Sequence, residues 1–482
     1  MARAGTGGEG PRQGALLVRC TGSSHEEAPV KTDTIAAIAT ALGPSGVAIV
    51  RVSGPAAGGV LRALCGEASP EPRVASLLAI RHPRDGRLLD RGLVTRFVGP
   101  DSYTGEDVVE FSCHGGYLTP RLVLEACLAA GAREAQPGEF TRRAYLNGRL
   151  DLIQAEAVVD LVEGRSPRLR QAALHQLERG LSDRVADLRG RLVGLEARLV
   201  HHIDFPDEDD QPVPIEEIAA EAEAVAAALG ALARTAPEGE LLREGAVTVL
   251  AGVPNAGKSS LFNALLGVER AIVTEVPGTT RDALDAVVSL DGFPFRLVDT
   301  AGLRESDDPV ERIGVEVAGR WLEAADVVLL CVPARRAPSD EERRFVAERA
   351  EVPVVLVRTQ ADLADGVAAG GEVPGAAASV TVSAVDGRGL DELRAALPRL
   401  VFAGLVEAGS DAPVLTRARQ RAAVEAAREH VCAFARALAE GVPADLAATH
   451  LRPAESELEA LLGTIDREEV LDRVFADFCV GK

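Results

Sequence analysis

The sequence predicts a multidomain protein in which a doubly wound α/β domain is inserted into a helical domain, with an α+β domain before both. Between residues 244 and 402, short Val- and Leu-rich runs alternate with helical segments, as in a parallel sheet that is buried on both faces. Helical patterns lie on either side of this stretch. We therefore expect the α+β domain at 31–148, the helical domain in two parts at 149–243 and 403–482, and the α/β domain between them.

Composition limits the possible classes of protein. The chain has 482 residues and a formal net charge of −21, which suits about two to four domains and argues against a broad basic surface for nucleic acid. If the protein acts on a nucleic acid, another molecule must supply much of the phosphate binding. The longest apolar runs, at 327–332 and 352–357, are far shorter than the ~18 residues of a membrane span.

Cysteine usage indicates a reduced, cytoplasmic protein. The number of cysteines is odd and no C-x-x-C pair occurs, which fits neither a disulfide framework nor a zinc site. The seven are Cys20, Cys65, Cys113, Cys127, Cys331, Cys432 and Cys479. Residues 1–30 are rich in Gly, Arg and Ser and have no apolar stretch, so they predict a disordered extension, or a start codon chosen too far upstream, rather than a secretory signal.

Local patterns predict the elements of the first two domains. Apolar runs at 47–52 and 108–111 indicate strands, and residues 120–130 indicate a helix. An apolar stripe at steps of three and four then predicts one long helix. The stripe consists of Leu174, Leu177, Leu181, Val185, Leu188, Leu192, Leu195 and Leu199. A second helix is expected at Ile215–Ala233, and Asp466 with Glu469 predicts a capping box for the last helix.

The α/β domain carries a phosphate-binding motif. Residues 252–259 read GVPNAGKS and fit G-x-x-x-x-G-K-[ST] between a predicted strand and a predicted helix. The glycines let backbone N–H groups point at phosphate oxygens. We expect Lys258 to neutralise the β- and γ-phosphates and the Ser259 hydroxyl to hold Mg²⁺.

Two further segments follow in the order that GTPases use. Residues 299–302 read DTAG at the end of a predicted strand, and residues 278–282 read GTTRD. Asp299 is placed to bind Mg²⁺ through water, Thr280 to complete its ligand shell, and the Gly302 N–H to sense the γ-phosphate. Alone, DTAG would be weak, but in this order it favours a GTP-hydrolysing enzyme.

The guanine-reading segment departs from the usual N-K-x-D. Residues 359–362 read TQAD, so that only Asp362 is kept, and the segment taken alone would be a plain loop. Ser383 and Ala384 fit the last guanine-side loop. We expect Asp362 to maintain a preference for GTP over ATP, and we expect lower nucleotide affinity because Thr359 and Gln360 replace the usual Asn and Lys.

The chain resembles the MnmE (TrmE) family of tRNA-modification GTPases from about Asp33 to Lys482. The shared stretches are DTI at 33–35, RVSG at 51–54, TGED at 104–107, PGEF at 137–140, LNGRLDL at 146–152, IDFP at 203–206 and FCVGK at 478–482. The last of these is very specific, because nucleotide binding does not need it. One departure is GPSG at 43–46, where the family usually has GRGG.

The resemblance implies a reaction that composition could not show. With the FAD-dependent protein MnmG, the family adds a carboxymethylaminomethyl-type group to C5 of the wobble uridine (position 34) of certain tRNAs. The one-carbon unit comes from a tetrahydrofolate derivative, 5,10-methylenetetrahydrofolate. The N-terminal domain is implied to be of the folate-binding type and to make a homodimer. Folate contacts would fall on Arg51, Glu110, Arg149 and Lys482, each of which is otherwise an ordinary surface charge or part of a frayed tail.

The resemblance also implies the GTP site in detail. Motifs and resemblance together place GTP against Asn255, Ala256, Gly257, Lys258, Ser259, Ser260, Thr274, Glu275, Val276, Pro277, Gly278, Thr279, Thr280, Asp299, Thr300, Ala301, Gly302, Asp362, Ser383 and Ala384. A K⁺ ion replaces an arginine finger, with ligands from Asn255, Thr274, Val276 and Thr279. Glu311 would position the attacking water, or it is a helix-surface carboxylate. Cys479 would be catalytic, or it is an idle thiol.

A second hypothesis from another class stays open at this point. The GTPase motifs alone also fit a regulatory or ribosome-assembly GTPase of the Era/EngA type, which acts as a binding switch. The FCVGK terminus, the folate-type N-terminal domain and the absence of a basic RNA-binding domain favour the tRNA-modification enzyme.

Overall fold

The computed structural model describes residues 33–67, 70–204, 213–268, 284–299, 319–364, 373–409 and 412–463, and five later residues. These are Leu471, Val474, Phe475, Phe478 and Gly481. The expectations for residues 1–30 and for a capping box at Asp466 and Glu469 lie outside the described residues. Within the described ranges, no helix combines the length and apolarity that crossing a membrane requires.

The first sheet lies at the N-terminal side and is mixed. Its strands are β1 (Ile35–Ile38), β2 (Ala48–Ser53), β3 (Ser76–Arg81), β4 (Leu88–Phe97), β5 (Val108–Cys113) and β6 (Arg133–Glu134), in the spatial order β3-β4-β5-β2-β1-β6. Only the β1–β6 pair is parallel. The strand expected at 47–52 begins one residue later, because Val47 is 57% exposed and lies outside the ladder.

One face of this sheet is covered by helices. They are α1 (Ala57–Cys65) and α2 (Thr119–Ala129), and α3 (Glu139–Leu146) follows the sheet. Val50, Val52 and Phe111 point into the core with α1 and α2. Because side chains alternate along a strand, Arg51 and Glu110 stand on the opposite face, where they are half-buried. The alternation therefore leaves a charged pair on the face away from α1 and α2, where Phe140 of α3 packs instead.

A run of helices follows the first sheet. They are α4 (Leu152–Glu163), α5 (Pro167–Leu177), α6 (Gly180–Asp204), α7 (Ile215–Ala233) and α8 (Ala236–Glu244). The prediction of a single long helix from Leu174 to Leu199 is wrong, because one helix ends at Leu177 and the next begins at Gly180. Arg179 there adopts a left-handed φ of 71°, which an α-helix cannot contain. The helix expected at Ile215–Ala233 is confirmed.

The second sheet has apolar strands with hydrophobic cores on both faces. Its strands are β7 (Ala246–Ala251), β8 (Leu284–Leu290), β9 (Phe293–Asp299), β10 (Val327–Pro333), β11 (Val354–Thr359) and β12 (Ala378–Thr381), in the order β12-β11-β10-β7-β9-β8. All neighbours are parallel except the β8–β9 hairpin. The helices of this part are α9 (Lys258–Val268), α10 (Asp340–Ala347), α11 (Leu390–Val401) and α12 (Ala403–Ala408).

Helices from before and after the second sheet share one hydrophobic core. The later ones are α13 (Ala418–Ala439), α14 (Ala444–Ala447) and α15 (Leu451–Leu462). Leu188 of α6, Val225 of α7, Val431 of α13 and Leu458 of α15 belong to the same buried cluster. The apolar stripes on these helices are therefore satisfied by partners that are distant in sequence.

A cluster of charges is buried where α4 meets the start of α13. Glu156 on α4 is 2% exposed, and its carboxylate accepts hydrogen bonds from Arg419 Nε at 2.9 Å and Arg419 Nη2 at 3.0 Å. One turn later, Asp160 pairs with Arg417 at 2.6 Å and with Arg243 at 3.4 Å. We call these five residues the α4 charge cluster. Burial raises the pKa of Glu156, but Arg419 outweighs it and the pKa lies below its ordinary value.

We predict that Arg419→Ala strongly destabilises the helical part. The variant leaves the Glu156 carboxylate buried without its bidentate partner, which costs about 3–5 kcal/mol of unfolding free energy. Arg452→Ala is the matched control, because Arg452 is exposed and lies 3.7 Å from Glu196, and such a surface pair contributes about 0–1 kcal/mol. Urea unfolding followed by helical circular dichroism measures both, and equal midpoints for the two variants would contradict the prediction.

Candidate functional site

The turn between β7 and α9 forms a phosphate cradle. Gly252 has φ of 139° and Gly257 has φ of 84°, both in the region that glycine alone enters readily. A Cβ on Gly252 would lie 2.5 Å from the Cys331 carbonyl oxygen, so the turn passes close under β10. The first N–H groups of α9 have no partner within the helix, and a helix N-terminus of this kind binds anions.

Lys258, Ser259 and Asp299 meet beside this cradle. Lys258 is buried, and its Nζ donates to the carbonyl oxygens of Gly252 and Val253, each at 3.0 Å. Ser259 Oγ donates to Asp299 Oδ2 at 2.8 Å, and Asp299 is buried at the end of β9. A hydroxyl and a carboxylate at one point fit the oxygen ligands that Mg²⁺ prefers.

The loops after β11 and β12 come together on the other side of the cradle. Ser383 Oγ donates to Asp362 Oδ1 at 3.0 Å, which orients the carboxylate expected to read the base. Ser383 is buried, and Ala384 follows it on the same loop. Thr359 Oγ1 donates to the Ala256 carbonyl oxygen at 2.5 Å, and Gln360 Nε2 donates to the Asn255 carbonyl oxygen at 3.1 Å.

A second group of expected site residues lies on the first sheet. Arg51 on β2 and Glu110 on β5 are cross-strand partners, and Arg51 Nε donates to Glu110 Oε1 at 2.9 Å. The Arg51 guanidinium carbon lies 5.4 Å from the ring centre of Tyr103 and 5.7 Å from that of Phe140. These rings shield the cation from water on one side and interact favourably with its charge.

The C-terminal tail reaches this pair. The carbonyl oxygen of Gly481 lies 3.5 Å from Arg51 Nη1. Phe475 and Phe478 pack with Tyr145 in one buried cluster, and a Cβ on Gly138 would lie 2.9 Å from Phe478 Cβ. The structure therefore brings the end of the chain against the first sheet, since Arg51 and Gly481 are 430 positions apart in sequence.

Arg149 lies beside the loop that carries Gly105. Among the described residues, no hydrogen bond joins it to Arg51. A Cβ on Gly105 would lie 3.3 Å from Arg149 Cγ, so the aliphatic part of this side chain rests on the loop that also carries Tyr103. Arg149 is exposed. The structure thus joins Arg51 and Glu110 directly and places Arg149 on the neighbouring loop.

Sequence reasoning missed a network of buried charges beside these residues. Arg143 is buried, and it donates to Asp33 Oδ1 at 2.7 Å, to Glu106 Oε1 at 3.2 Å and to Glu139 Oε1 at 3.1 Å. Burial raises the pKa of Glu139, but Arg133 outweighs this and brings it to about 2. TGED and PGEF are visible in the sequence, yet nothing in either motif shows that their carboxylates share an arginine.

Several expected site residues lie outside the part of the chain that the structure describes. These are Thr274, Glu275, Val276, Pro277, Gly278, Thr279, Thr280, Thr300, Ala301, Gly302, Glu311, Cys479 and Lys482. The proposed K⁺ ligands are thus represented by Asn255 alone, which has a left-handed φ of 60°. The proposed Mg²⁺ ligand Ser259 and the nearby Asp299 are described, and their geometry fits.

We predict that Gly252→Ala abolishes nucleotide binding. Its Cβ would collide with a backbone oxygen, and its φ of 139° is strained for alanine, so the turn must move away from the phosphates. Gly267→Ala is the control, because a Cβ there meets nothing within 4 Å and alanine favours a helix. Fluorescent GTP titration measures both variants. Wild-type affinity in Gly252→Ala would show that the cradle tolerates the shift.

Comparisons with known proteins agree along most of the chain. The family described as "MnmE helical domain" matches residues 152–479, and "GTP-binding protein TrmE N-terminus" matches 34–149. A relative from Moorella thermoacetica, called tRNA modification GTPase MnmE, is 44% identical over 465 residues and covers 93% of this chain and 99% of its own length. One from Methylobacterium radiotolerans with the same name is 44% identical over 460 residues, with 94% and 100% covered.

A solved structure matches part of the chain. The G domain of the T. maritima FeoB iron transporter is 28% identical and covers 32% of this chain and 96% of that chain, with a TM-score of 0.25. The full-length relatives, rather than this local likeness, decide between the two hypotheses, and they favour the tRNA-modification enzyme over the ribosome-assembly GTPase. The chain belongs to the MnmE family and is a GTP-hydrolysing enzyme involved in tRNA modification.

Proposed function

We propose that this enzyme uses GTP hydrolysis to drive addition of a carboxymethylaminomethyl-type group to C5 of the wobble uridine of certain tRNAs. A flavoprotein partner, MnmG, shares the reaction, and 5,10-methylenetetrahydrofolate donates the one-carbon unit. The single observation that carries the proposal is the full-length relationship to tRNA modification GTPases. The presence of two separate sites on one chain, the phosphate cradle and the Arg51–Glu110 pair, supports it.

The phosphate cradle is proposed to bind and hydrolyse GTP. Lys258 would leave the two loop carbonyls that it contacts and place its charge on the β- and γ-phosphates. Ser259 would hold Mg²⁺ through its hydroxyl oxygen and Asp299 would hold it through a water, and the ion would supply positive charge to the phosphates. Thr280 would complete the ligand set. Asp362, oriented by Ser383, would accept hydrogen bonds from the guanine.

Glu311 and a K⁺ site made of Asn255 and three residues outside the described ranges complete this part of the proposal. Glu311 would position the attacking water. Asn255, Thr274, the Val276 carbonyl and Thr279 would hold a K⁺ ion, and its charge would offset the negative charge on the transferring phosphoryl group. Oxygen ligands suit such a hard cation.

The first sheet is proposed to be a folate-binding domain. Folates carry carboxylates, and Arg51 offers a guanidinium that is already oriented by Glu110 and by two aromatic rings. A preoriented arginine binds a carboxylate strongly. The Gly481 contact supports a role for the tail, since Lys482 is the next residue and Cys479 is two residues earlier. Arg149 and Lys482 complete the proposed set, and Cys479 is proposed to be catalytic.

The partners and the domain arrangement follow from the same proposal. The GTPase domain at 244–402 is inserted between the two parts of the helical domain, and the domain at 31–148 makes a homodimer. An exposed cross-strand pair, Leu77 at 68% and Leu93 at 47%, supports a protein contact on that sheet. tRNA is bound largely through MnmG, because a chain of net charge −21 repels phosphates. The enzyme works in the cytoplasm.

Analysis of wobble nucleosides tests the proposal as a whole. A bacterial strain that lacks its own enzyme of this family receives the present chain or an empty vector. Recovery of the modified uridine with the chain alone supports the function. If hydrolysis by the purified chain is normal but the modified uridine never returns, the GTPase belongs to another process.

We predict that K⁺ stimulates GTP hydrolysis, because Asn255, Thr274, Val276 and Thr279 are the proposed ligands of a K⁺ ion. Turnover is expected to be at least roughly tenfold higher in KCl than in NaCl at equal ionic strength, since charge at the transferring phosphoryl group contributes strongly to catalysis. Equal turnover in the two salts, with dimerisation confirmed, rules out the cation site.

We predict that Cys479→Ser removes tRNA modification and leaves GTP hydrolysis nearly unchanged. The described tail residues contact α3 and α4 through Phe478 and the first sheet through Gly481, so the two activities should separate. Cys432→Ser on α13 serves as the control thiol, since Cys432 packs in the helical core. Normal levels of modified uridine with Cys479→Ser would show that this thiol is idle.

A further inference from the structure

Two hydrogen bonds join the base-side loop to the phosphate cradle. Thr359 Oγ1 donates to the Ala256 carbonyl oxygen at 2.5 Å, and Gln360 Nε2 donates to the Asn255 carbonyl oxygen at 3.1 Å. The partners are 103 and 105 positions apart in sequence. Thr359 is 3% exposed and Ala256 is fully buried, so water does not compete for the first bond.

The backbone on both sides of this junction is held in an unfavourable conformation. Asn255 has φ of 60° and Gln360 has φ of 57°, and the left-handed region is unfavourable for residues other than glycine. Such conformations persist only where the surroundings hold them. A Cβ on Gly257 would lie 3.3 Å from Thr359 Cβ, so the threonine also packs closely against the cradle.

We infer that Thr359 and Gln360 are positioning residues that hold the phosphate cradle in its nucleotide-binding shape from the base side. This inference rests on the proposed GTP site. It reverses the expectation that replacing Asn and Lys in the guanine motif weakens binding, because the threonine hydroxyl and the glutamine amide supply the donors that the two carbonyls need.

The two bonds differ in strength. The Thr359 bond is short and buried on both sides, whereas Gln360 is only half-buried and its Oε1 is a buried acceptor without a partner among the described residues. We therefore expect Thr359 to be the stronger tether. Base choice is separate, since Asp362 is oriented by Ser383 through a different bond.

Thr359→Val tests the tether, because it replaces the hydroxyl with a methyl group of similar size. The Ala256 carbonyl is left buried without a donor, and the GTP and GDP dissociation constants are expected to rise by the same factor, roughly 5- to 100-fold. Thr359→Ser and Thr359→Asn each keep a donor and should restore binding. The GTP-to-ATP preference should stay unchanged in all three variants.

Matched variants separate this role from general destabilisation. Thr381→Val makes the same change at the end of the neighbouring strand β12, where the side chain is exposed and has no described hydrogen bond. It should bind GTP like the wild type. If Thr359→Val does not fold, Gln360→Ala tests the bond to the Asn255 carbonyl instead, because Gln360 is only half-buried and its loss disturbs the packing less. The Thr359→Asn/Gln360→Lys double variant should stay within about twofold of wild type.

Each result decides the inference. Unchanged dissociation constants in Thr359→Val and Gln360→Ala would overturn it, and so would a loss of preference for GTP over ATP without a common loss of affinity, which would make Thr359 a base contact. A gain in GTP affinity in the double variant would also count against it. Failure of the wild type to bind any nucleotide would refute the proposed GTP site instead.

Discussion

The bidentate ion pair between Glu156 and Arg419 is the contact on which the arrangement of the helices depends. Glu156 stands on α4, before the second sheet, and Arg419 stands at the start of α13, after it. Neither group can be buried alone, because an unpaired charge in the interior is far more costly than a paired one. Asp160 pairs with both Arg243 and Arg417. The segment before the second sheet and the segment after it therefore meet at the α4 charge cluster.

The same region connects the two proposed sites. Helix α5 contacts the turn between β8 and β9, where the Arg168 N–H donates to the Gly292 carbonyl oxygen at 3.1 Å and Leu169 enters the core of the second sheet. Strand β9 ends at Asp299 beside the phosphate cradle. In the other direction, the C-terminal tail reaches Arg51 on the first sheet. Packed elements therefore lead from the phosphate cradle through α5 and α4 to the C-terminal tail beside Arg51.

Local features could be predicted from sequence, and contacts between distant segments could not. The cradle at 252–259 and the helix Ile215–Ala233 depend on neighbouring residues, so motif and periodicity were sufficient. The break at Arg179 was missed because the apolar stripe continues through it, although the chain turns there. Arg143 bonds Glu106 and Asp33, which are 37 and 110 positions away, and the Thr359 hydroxyl bonds Ala256, which is 103 positions away. No pattern in the sequence indicates which of these residues meet.

The central claim is that GTP hydrolysis at the second sheet drives chemistry at the first. Lys258→Ala tests it most directly, since this change removes the cation proposed to bind the phosphates, and Lys258 belongs to the part built on the second sheet whereas Arg51 lies on the first. The variant is expressed in a strain without its own enzyme, and its tRNA nucleosides are quantified beside GTP turnover of the purified protein. The account predicts no hydrolysis and no modified wobble uridine. A normal level of modified uridine without hydrolysis would contradict it.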